Sequence, residues 1–435
     1  MSSFKKKTVK DVNLSGSRVL LRADYNVPVD DGRITDDYRL RASLPTIQYI
    51  LKQKPSGLVI ASHLGRPAGK VDKSYSLRPV AKRLSQLLDK PVRFVNDCVG
   101  QTVHQISDQV KDGQIILLEN LRFHPGEEAN DKDFAQNLIG STGAEVFVQD
   151  AFGVVHRQHA TTSAITKLLP SVAGLLLQTE VTTIEQVLAK PERPLVAVIG
   201  GAKIADKIDV IKRFIDIADC LAVGGIMANN FLKAEGYEIG SSLYDKDDMK
   251  LTMQLLKLAK AAAFKRPFSL IVPADVLVSK DPRGRQATRI VDLAGSGLAD
   301  TAAYPKLPKP SAYTVGSSEM ILDLGPASAA RIAGVIKLAK TVIWNGTMGI
   351  TEIKGLAGAH RPFSHGTNVI VEAMIGEHHR HPSRPFSLVG GGDTVGYIEQ
   401  EGLVDDFSFV STGGGATLDL IAGKPLPGLD TLPNK

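Results

Sequence analysis

Short runs of apolar residues recur along the chain, and each run ends in glycine or polar residues. They are RVLLRADYNVP, GLVIASHLG, QIILLENLRF and EVFVQDAFG in the first part, then PLVAVIGG, DCLAVGG, FSLIVPADV, TVIWNGTMG, FSLVGGGD and FSFVSTGGG. Each run has the length of a strand, and helix-length stretches lie between them. This alternation is typical of βαβ units whose parallel strands are covered on both faces. The sequence therefore predicts an α/β protein with two doubly wound, Rossmann-like parallel sheets.

A helix near the middle of the chain is the expected connector between the two sheets. Residues 171–190, SVAGLLLQTEVTTIEQVLAK, are predicted to form one long helix, because Pro191 closes the pattern and a new strand follows. We expect a hinge there. The predicted division is an N-terminal domain at 1–172, a connecting helix at 173–190, a C-terminal domain at 191–415 and a C-terminal segment at 416–435 that returns to the N-terminal domain.

Composition is that of a globular protein with room for more than one core, since 43% of the 435 residues are hydrophobic and 23% are charged. The N-terminus lacks the apolar stretch of a secretory signal, and no apolar run approaches the roughly 20 residues needed to cross a bilayer. We expect a soluble, cytoplasmic protein with no membrane partner. The net charge of +6 is modest and the basic residues are scattered, which argues against a nucleic-acid surface.

The two cysteines and two further segments carry no predicted chemistry. Cys98 and Cys220 lie far apart without CxxC or Cys/His spacing, so we predict two buried thiols and neither a disulfide nor a zinc site. The sequence EHHRH at 377–381 is better explained as a solvated loop than as a metal site. Residues 281–319 are rich in Pro, Gly, Ser and Ala, which predicts an extended surface loop.

Arginine and histidine repeatedly follow the apolar runs of the first half. Ligands of open α/β sheets bind beyond the carboxyl ends of the strands, so the residues there decide the chemistry. Arginine presents a rigid fork of donors that suits carboxylate and phosphate, and several arginines together predict a small polyanion that carries both groups. A single one could be an ordinary surface ion-pair partner, but the set is poorly explained that way. The candidates are Arg22, Asp24, Asn26, Arg39, His63, Arg66, Arg122, His124, His156, Arg157 and His159.

Glycine-rich turns follow the apolar runs of the second half and predict a nucleotide site. They are GGAKIADK at 200–207, GGIMANN at 224–230, NGTMGITE at 345–352, GGGDT at 390–394 and STGGGAT at 411–417. Glycine lets backbone N–H groups approach phosphate at a helix N-terminus. Lys203 and Lys207 are predicted to share one face at the start of a helix, where both reach phosphate oxygens. Asp393, at another predicted helix start, suits Mg²⁺.

Other nucleotide-binding classes lack support, because neither GxxxxGK[ST] nor a complete GxGxxG occurs and the protein-kinase motifs are absent. The sequence resembles the phosphoglycerate kinase family along nearly its whole length. The motifs RADYNVP, ITDDYRLRASLPTI, SHLGRP, LENLRFHPGEE, DAFGVVHRQHA, GGAKIADKI, WNGTMG, GGGDT and STGGGATLDLIAGKPLPG occur in the family's order.

The resemblance implies reversible phosphoryl transfer between 1,3-bisphosphoglycerate with ADP and 3-phosphoglycerate with ATP, with Mg²⁺, in a monomer. It implies that the phosphoglycerate binds to Asp24, Asn26, Arg39, His63, Arg66, Arg122 and Arg157. Arg39 and Lys203 would stabilise the transferring group. The nucleotide would bind to Lys207, Glu352, Gly391, Gly392, Asp393 and Thr394, with Asp393 also holding the metal.

Departures from the family pattern lie mainly on the nucleotide side. Thr347 replaces the usual Pro of WNGP, Thr351 a usual Phe, Ile226 a usual third Gly, and Ala327 a usual charged residue after DIGP. Two alternatives therefore stay open at this point: a weakened homologue that binds its ligands as a regulator or scaffold, and a basic nucleic-acid-binding protein. The second is disfavoured because no stripe of basic and aromatic residues occurs.

Overall fold

The computed structural model describes residues 4–111, 113–295, 313–354, 361–376 and 384–435. Its contacts divide the chain into two compact units. Unit 1 comprises Met1–Gln186 together with Thr412–Lys435, and unit 2 comprises Val187–Ser411. No helix of the described residues is sufficiently long and apolar to span a membrane.

Unit 1 is built on a six-stranded parallel sheet. Its strands are β1 (Arg18–Arg22), β4 (Gly57–Ala61), β5 (Val92–Val95), β6 (Ile115–Leu118), β7 (Val146–Gln149) and β8 (Ser171–Ala173), with a small hairpin of β2 (Val29–Asp30) and β3 (Arg33–Ile34). The strand order is β5-β6-β4-β1-β7-β8. The helices are Tyr38–Lys52, Arg78–Leu88, Gln101–Asp108, Pro125–Glu128, Lys132–Thr142, Leu175–Ala189, Gly415–Ile421 and Pro427–Asp430.

Both faces of this sheet are covered by apolar side chains. Successive side chains of a strand point to opposite faces, and in β1 Val19 and Leu21 join one buried cluster while Leu20 joins another. A strand that is buried on both faces reads as a continuous apolar run, which is why the sequence pattern revealed it.

Unit 2 has a second six-stranded parallel sheet and a smaller antiparallel one. The strands are β9 (Leu195–Ile199), β10 (Cys220–Val223), β11 (Ser269–Ile271), β12 (Asp275–Ser279), β13 (Thr288–Asp292), β14 (Met320–Leu324), β15 (Thr341–Asn345), β16 (Phe386–Gly390) and β17 (Phe409–Val410). The parallel order is β11-β10-β9-β15-β16-β17, and the antiparallel order is β13-β12-β14. The helices are Ile208–Ile217, Gly225–Ala234, Met249–Lys265, Pro326–Leu338, His365–Ile375 and Gly392–Gln400.

The predicted fold class is confirmed, and every apolar run quoted from the sequence contains a strand. The single helix predicted over 171–190 is wrong at its start, because Ser171–Ala173 is strand β8 and the helix begins at Leu175. β8 pairs in parallel with β7. The Thr46 hydroxyl then accepts hydrogen bonds from the N–H groups of Leu175 and Leu176, which fixes where the helix starts.

The surface loop predicted over 281–319 is also corrected. Residues Thr288–Asp292 form β13, which pairs antiparallel with β12. An antiparallel strand with one solvated face carries polar residues and does not produce a continuous apolar run. Residues 296–312 of this segment, and the EHHRH sequence at 377–381, lie outside the described residues.

The C-terminal residues of unit 1 are attached to the helix Leu175–Ala189 through one buried carboxylate. Glu180 is 0% exposed, and its Oε1 accepts hydrogen bonds from the backbone N–H of Thr412 at 2.6 Å and from the Thr412 hydroxyl at 2.7 Å. The end of the chain is joined to the N-terminus as well, because Lys7 N–H donates to the carbonyl of Pro433.

Replacing Glu180 by Ala is expected to lower the free energy of unfolding by about 2–4 kcal/mol, because two buried donors of Thr412 lose their acceptor. Glu180→Gln retains a carbonyl oxygen and is expected to cost less. Urea denaturation measures both, with Glu185→Ala in the same helix as the control. Equal losses for Glu180→Ala and the control would contradict this role.

Candidate functional site

The predicted anion-binding residues of unit 1 follow strands that end at one edge of the sheet. β1, β4, β6 and β7 are mutually parallel through their pairings, so the loops after them begin at the same edge. The residues in these loops are Asp24 and Asn26 after β1, His63 and Arg66 after β4, Arg122 after β6 and Arg157 after β7. Arg39 lies in the first turn of the helix Tyr38–Lys52.

Asp24 and Asn26 hold Arg39 beside the loop that follows β4. Arg39 Nη1 is 3.0 Å from Asp24 Oδ2 and donates to the carbonyl of Asn26 at 3.1 Å. The Asn26 side chain accepts a hydrogen bond from Gly65 N–H at 2.8 Å. His63 Nδ1 lies 3.9 Å from Asp24 Oδ1. These four predicted residues therefore form one connected group.

Arg122 joins this group from the other side of Gly65. Its Nη1 donates to the Gly65 carbonyl at 2.8 Å, and its Nε lies 3.2 Å from Glu128. Arg66 follows Gly65 directly and is exposed to solvent. Arg157 is half-buried and contacts His156 at 3.3 Å. No hydrogen bond connects the side chains of Arg66 and Arg157 to the group within the described residues.

Positive charge dominates this region. Burial lowers the pKa of His63 well below its usual value, and Arg22, Arg122 and Arg39 lower it further. Burial and the neighbouring arginines likewise lower the pKa of His159 to about 3. Both imidazoles are therefore neutral at physiological pH. A bound anion would stabilise the surrounding guanidinium groups, which repel one another in its absence.

Arg22 and Glu127 support the site from beneath, a role the sequence did not reveal for Glu127. Arg22 is 1% exposed, its Nε donates to Thr161 Oγ1 at 2.9 Å, and its Nη2 lies 3.2 Å from His63 Nδ1. Glu127 is fully buried, lies 3.8 Å from Arg22 and accepts the Thr161 hydroxyl at 2.6 Å. The motif LENLRFHPGEE contains Glu127, but only the fold shows that this carboxylate compensates a buried guanidinium.

In unit 2, several glycines are required by close packing of neighbouring loops. A Cβ on Gly200 would lie 2.0 Å from the carbonyl oxygen of Thr347, and one on Gly346 would lie 2.3 Å from that of Gly200. These contacts join the loops after β9 and β15. A Cβ on Gly392, in contrast, would meet nothing within 4 Å. Gly391 caps the helix Gly392–Gln400 at a φ of 100°, so the N-terminus of that helix is open to a ligand.

Lys203 and Lys207 do not share one helix face, so that prediction is wrong. The α-helix begins at Ile208, Lys207 lies in a 3₁₀ turn and Lys203 lies in the preceding loop. The Asp248 carboxylate accepts a hydrogen bond from Ala205 N–H at 2.9 Å and holds this irregular turn in place. Lys203 is nevertheless exposed to solvent near the strand end.

Lys207 is largely withdrawn from solvent and points back to the strand ends. Its ammonium donates to the Gly200 carbonyl at 2.7 Å and to Asn345 Oδ1 at 2.8 Å. Burial lowers the pKa of Lys207 to about 8, and the nearby Asp393 partly opposes this effect. Asp393 is exposed in the first turn of its helix, as predicted.

A cavity of about 250 Å³ lies at these strand ends. Its walls are apolar side chains, among them Leu232, Val276 and Leu324, and Glu352 and Asp393 contribute exposed carboxylates. Thr394 is not among the lining residues of the described chain. It is buried, and its hydroxyl accepts a hydrogen bond from Gly346 N–H at 2.6 Å.

Two of the four unusual residues line this cavity. Ile226 and Thr347 are part of its wall, and the Thr347 hydroxyl donates to the carbonyl of Gly349 at 3.0 Å. Thr351 is buried next to Glu352. Ala327 is the second residue of the helix Pro326–Leu338, and its N–H donates to Asp275 at 3.0 Å. Ile226 and Thr347 are therefore the departures placed to change which ligand the cavity accepts.

Comparison with known proteins gives one consistent result. The model of the family described as phosphoglycerate kinase matches residues 9–424. The phosphoglycerate kinase of Moorella thermoacetica is 41% identical over 430 residues, which cover 99% of this chain and 100% of the relative, and that of Dictyoglomus turgidum is 42% identical over 433 residues, with 99% and 100% covered. The solved structure of phosphoglycerate kinase from Coxiella burnetii has a TM-score of 0.76 at 36% identity, with 98% of each chain covered. The chain belongs to the phosphoglycerate kinase family.

Proposed function

We propose that this protein catalyses the reversible, Mg²⁺-dependent transfer of a phosphoryl group from 1,3-bisphosphoglycerate to ADP, giving 3-phosphoglycerate and ATP. The observation that carries the proposal is the connected group of Asp24, Asn26, Arg39, His63 and Arg122 at one edge of the unit 1 sheet. Its charge suits a small acid that carries a carboxylate and phosphates. Family membership supports the same assignment.

The phosphoglycerate is assigned to the loops of unit 1. Arg39 and Arg122 offer guanidinium groups to its anionic oxygens, and the neutral His63 offers hydrogen bonds without adding to the charge repulsion. Arg66 is exposed and Arg157 is half-buried, and we assign both to the anionic oxygens of the bound ligand. Asp24 and Asn26 bind the polar groups of the acid and keep Arg39 in place.

The nucleotide is assigned to the cavity and strand ends of unit 2. The apolar wall suits the base, and the exposed carboxylate of Glu352 suits the ribose hydroxyl groups. Lys207 and the open helix start at Gly391, Gly392 and Asp393 suit the phosphates. Thr394 supports this turn from beneath, through its hydrogen bond with Gly346.

The donor set of unit 2 fits Mg²⁺. Asp393 offers an exposed carboxylate at the open helix start, and Mg²⁺ is commonly bound by one or two carboxylates together with substrate phosphates. When bound, the ion supplies positive charge to the nucleotide phosphates.

The chemistry requires positioning and charge neutralisation and no nucleophilic side chain. We assign Arg39 and Lys203 to the equatorial oxygens of the transferring group, where positive charge stabilises the transition state more than the ground state. Transfer requires the acid and the nucleotide to approach to roughly 3 Å, so we propose that the protein closes by bending near the helix Leu175–Ala189 and excludes water.

We further propose that the protein acts as a cytoplasmic monomer in glycolysis, gluconeogenesis or carbon fixation.

Arg39→Ala and Lys203→Ala are each expected to lower kcat by about 10²–10³-fold, because each removes a charge that acts in the transition state. ATP-dependent phosphorylation of 3-phosphoglycerate, coupled to reduction of the product, measures this loss. Arg41→Ala, in the same helix as Arg39, and Lys212→Ala are the controls. A folded wild type that binds 3-phosphoglycerate but neither ADP nor ATP would instead support a regulator or scaffold, and would direct attention to Ile226 and Thr347.

Asp393→Asn is expected to raise the Mg²⁺ concentration at half-maximal activity by about tenfold or more, because the ion loses its charged protein ligand. The KM for 3-phosphoglycerate is expected to stay within about twofold. A magnesium titration of the kinase assay measures both values, with the exposed Asp405→Asn as control. An unchanged magnesium requirement would assign the ion to the nucleotide phosphates alone.

We expect bending only when both substrates are bound, because the acid is assigned to unit 1 and the nucleotide to unit 2, and the reacting groups meet only when both are present. The substitutions Lys132→Cys and Lys257→Cys place one Cys in each unit. Fluorophores on these two residues report the distance between them by energy transfer. The labelled background carries Cys98→Ser and Cys220→Ser. Equal transfer efficiency with no ligand, with each ligand and with both would contradict domain closure.

A further inference from the structure

Three potential metal ligands meet in unit 1 although the sequence spacing gave no sign of a site. Asp97 and Cys98 lie in the loop after the edge strand β5, and His124 lies in the loop after its neighbour β6. Each offers one ligand atom, and these atoms lie within 4.8 Å of one another. In the part of the chain that the structure describes, no other three His, Cys, Asp or Glu residues meet this condition.

Hydrogen bonds and a ring contact hold the side chains of the three residues in place. His124 Nε2 lies 2.8 Å from Asp97 Oδ1. The His124 ring stacks on Phe134 with 5.3 Å between the ring centres, which holds the plane of the imidazole. Cys98 Sγ donates to the carbonyl of Glu119 at 2.8 Å. The histidine and the carboxylate are thus already paired beside the thiol.

The group also has a closed side and an open side. Cys98 is 0% exposed, whereas the side chains of Asp97 and His124 are 52% and 30% exposed. An ion therefore meets Asp97 and His124 first, and contact with the buried sulfur requires these two side chains to rotate apart. Water from the same side can complete the coordination.

Ligand chemistry selects the kind of ion. Zn²⁺ binds Cys sulfur at about 2.3 Å and His nitrogen or Asp oxygen at about 2.0–2.2 Å, so tetrahedral ligand atoms lie about 3.3–3.8 Å apart. The His124–Asp97 pair must therefore open by about 0.5 Å from 2.8 Å, and separations of up to 4.8 Å must shorten by about 1 Å. Rotation of the exposed Asp97 and His124 side chains can supply both movements. A thiolate ligand favours Zn²⁺ and other soft divalent ions over Mg²⁺ or Ca²⁺.

We propose that Asp97, Cys98 and His124 bind one thiophilic divalent cation of the Zn²⁺ class, with water as the fourth ligand. The ion replaces the proton of the Cys98 thiol, which leaves to solvent, and the hydrogen bond from the thiol to the Glu119 carbonyl is lost. At His124 the Nε2 proton is exchanged through solvent for one on Nδ1, so the ion takes the place of the hydrogen bond between His124 and Asp97. The site is separate from the Mg²⁺ assigned to Asp393. It does not depend on the proposed phosphoryl transfer.

Titration with Co²⁺ tests the site, because a cobalt–thiolate bond gives a near-ultraviolet charge-transfer band that histidine sites do not give. The full-length chain carries His378→Gln, His379→Gln and His381→Gln, which removes competing imidazoles. One equivalent of Co²⁺ is expected to produce the band, and Zn²⁺ to abolish it. Cys98→Ser is expected to remove the band, whereas Cys220→Ser, which changes the other buried thiol, leaves it intact.

His124→Gln and Asp97→Asn provide the second test, because both side chains are partly exposed and their replacement spares the core. Each is expected to weaken Co²⁺ binding at least tenfold while the circular dichroism spectrum stays unchanged. Absence of the band from the parent chain at millimolar Co²⁺ would overturn the proposal. Loss of the band in Cys220→Ser, or its full retention in His124→Gln, would overturn it as well.

Discussion

Repulsion between guanidinium groups that cannot move apart is the constraint on which unit 1 depends. Arg22 and Arg122 are both buried near His63, and each lowers the pKa of that imidazole. Burying such charges costs free energy unless carboxylates and hydrogen bonds compensate them. Glu127 and Thr161 compensate Arg22, and Glu128 compensates Arg122. The compensation is partial, so net positive charge remains around His63 at this edge of the sheet.

The apolar side chains buried on both faces of each parallel sheet stabilise the fold and offset the free-energy cost of burying these arginines. The alternation of Val19, Leu20 and Leu21 between two apolar clusters leaves only Arg22, the last residue of the strand, to support the site. Chemistry is thereby restricted to the loops beyond the strand ends. In unit 2 the same restriction brings loops so close that Gly200 and Gly346 have no room for a Cβ, which adds a packing reason for glycine to the phosphate-binding reason expected from the sequence.

The sequence predicted those features that follow from continuous burial and from residues at strand ends. Strands β1 and β9 and the group around Arg39 belong to this class. It failed where tertiary contacts decide the local structure, as at β8, whose three residues continue the apolar pattern of the following helix. It also failed for Lys203, because a loop held by Asp248 replaces the expected helical turn. The approach of Cys98 to His124 depends on the pairing of β5 with β6, which no local spacing encodes.

The partly buried ammonium of Lys207 has a consequence for the energetics of ligand binding. With a pKa of about 8, this group is charged in only part of the molecules at mildly alkaline pH. A polyanion that binds beside it favours the charged form, so binding takes up a fraction of a proton from the solution. The heat measured on binding would then depend on the ionisation enthalpy of the buffer. Binding of the polyanion would also raise the pH of a weakly buffered solution slightly.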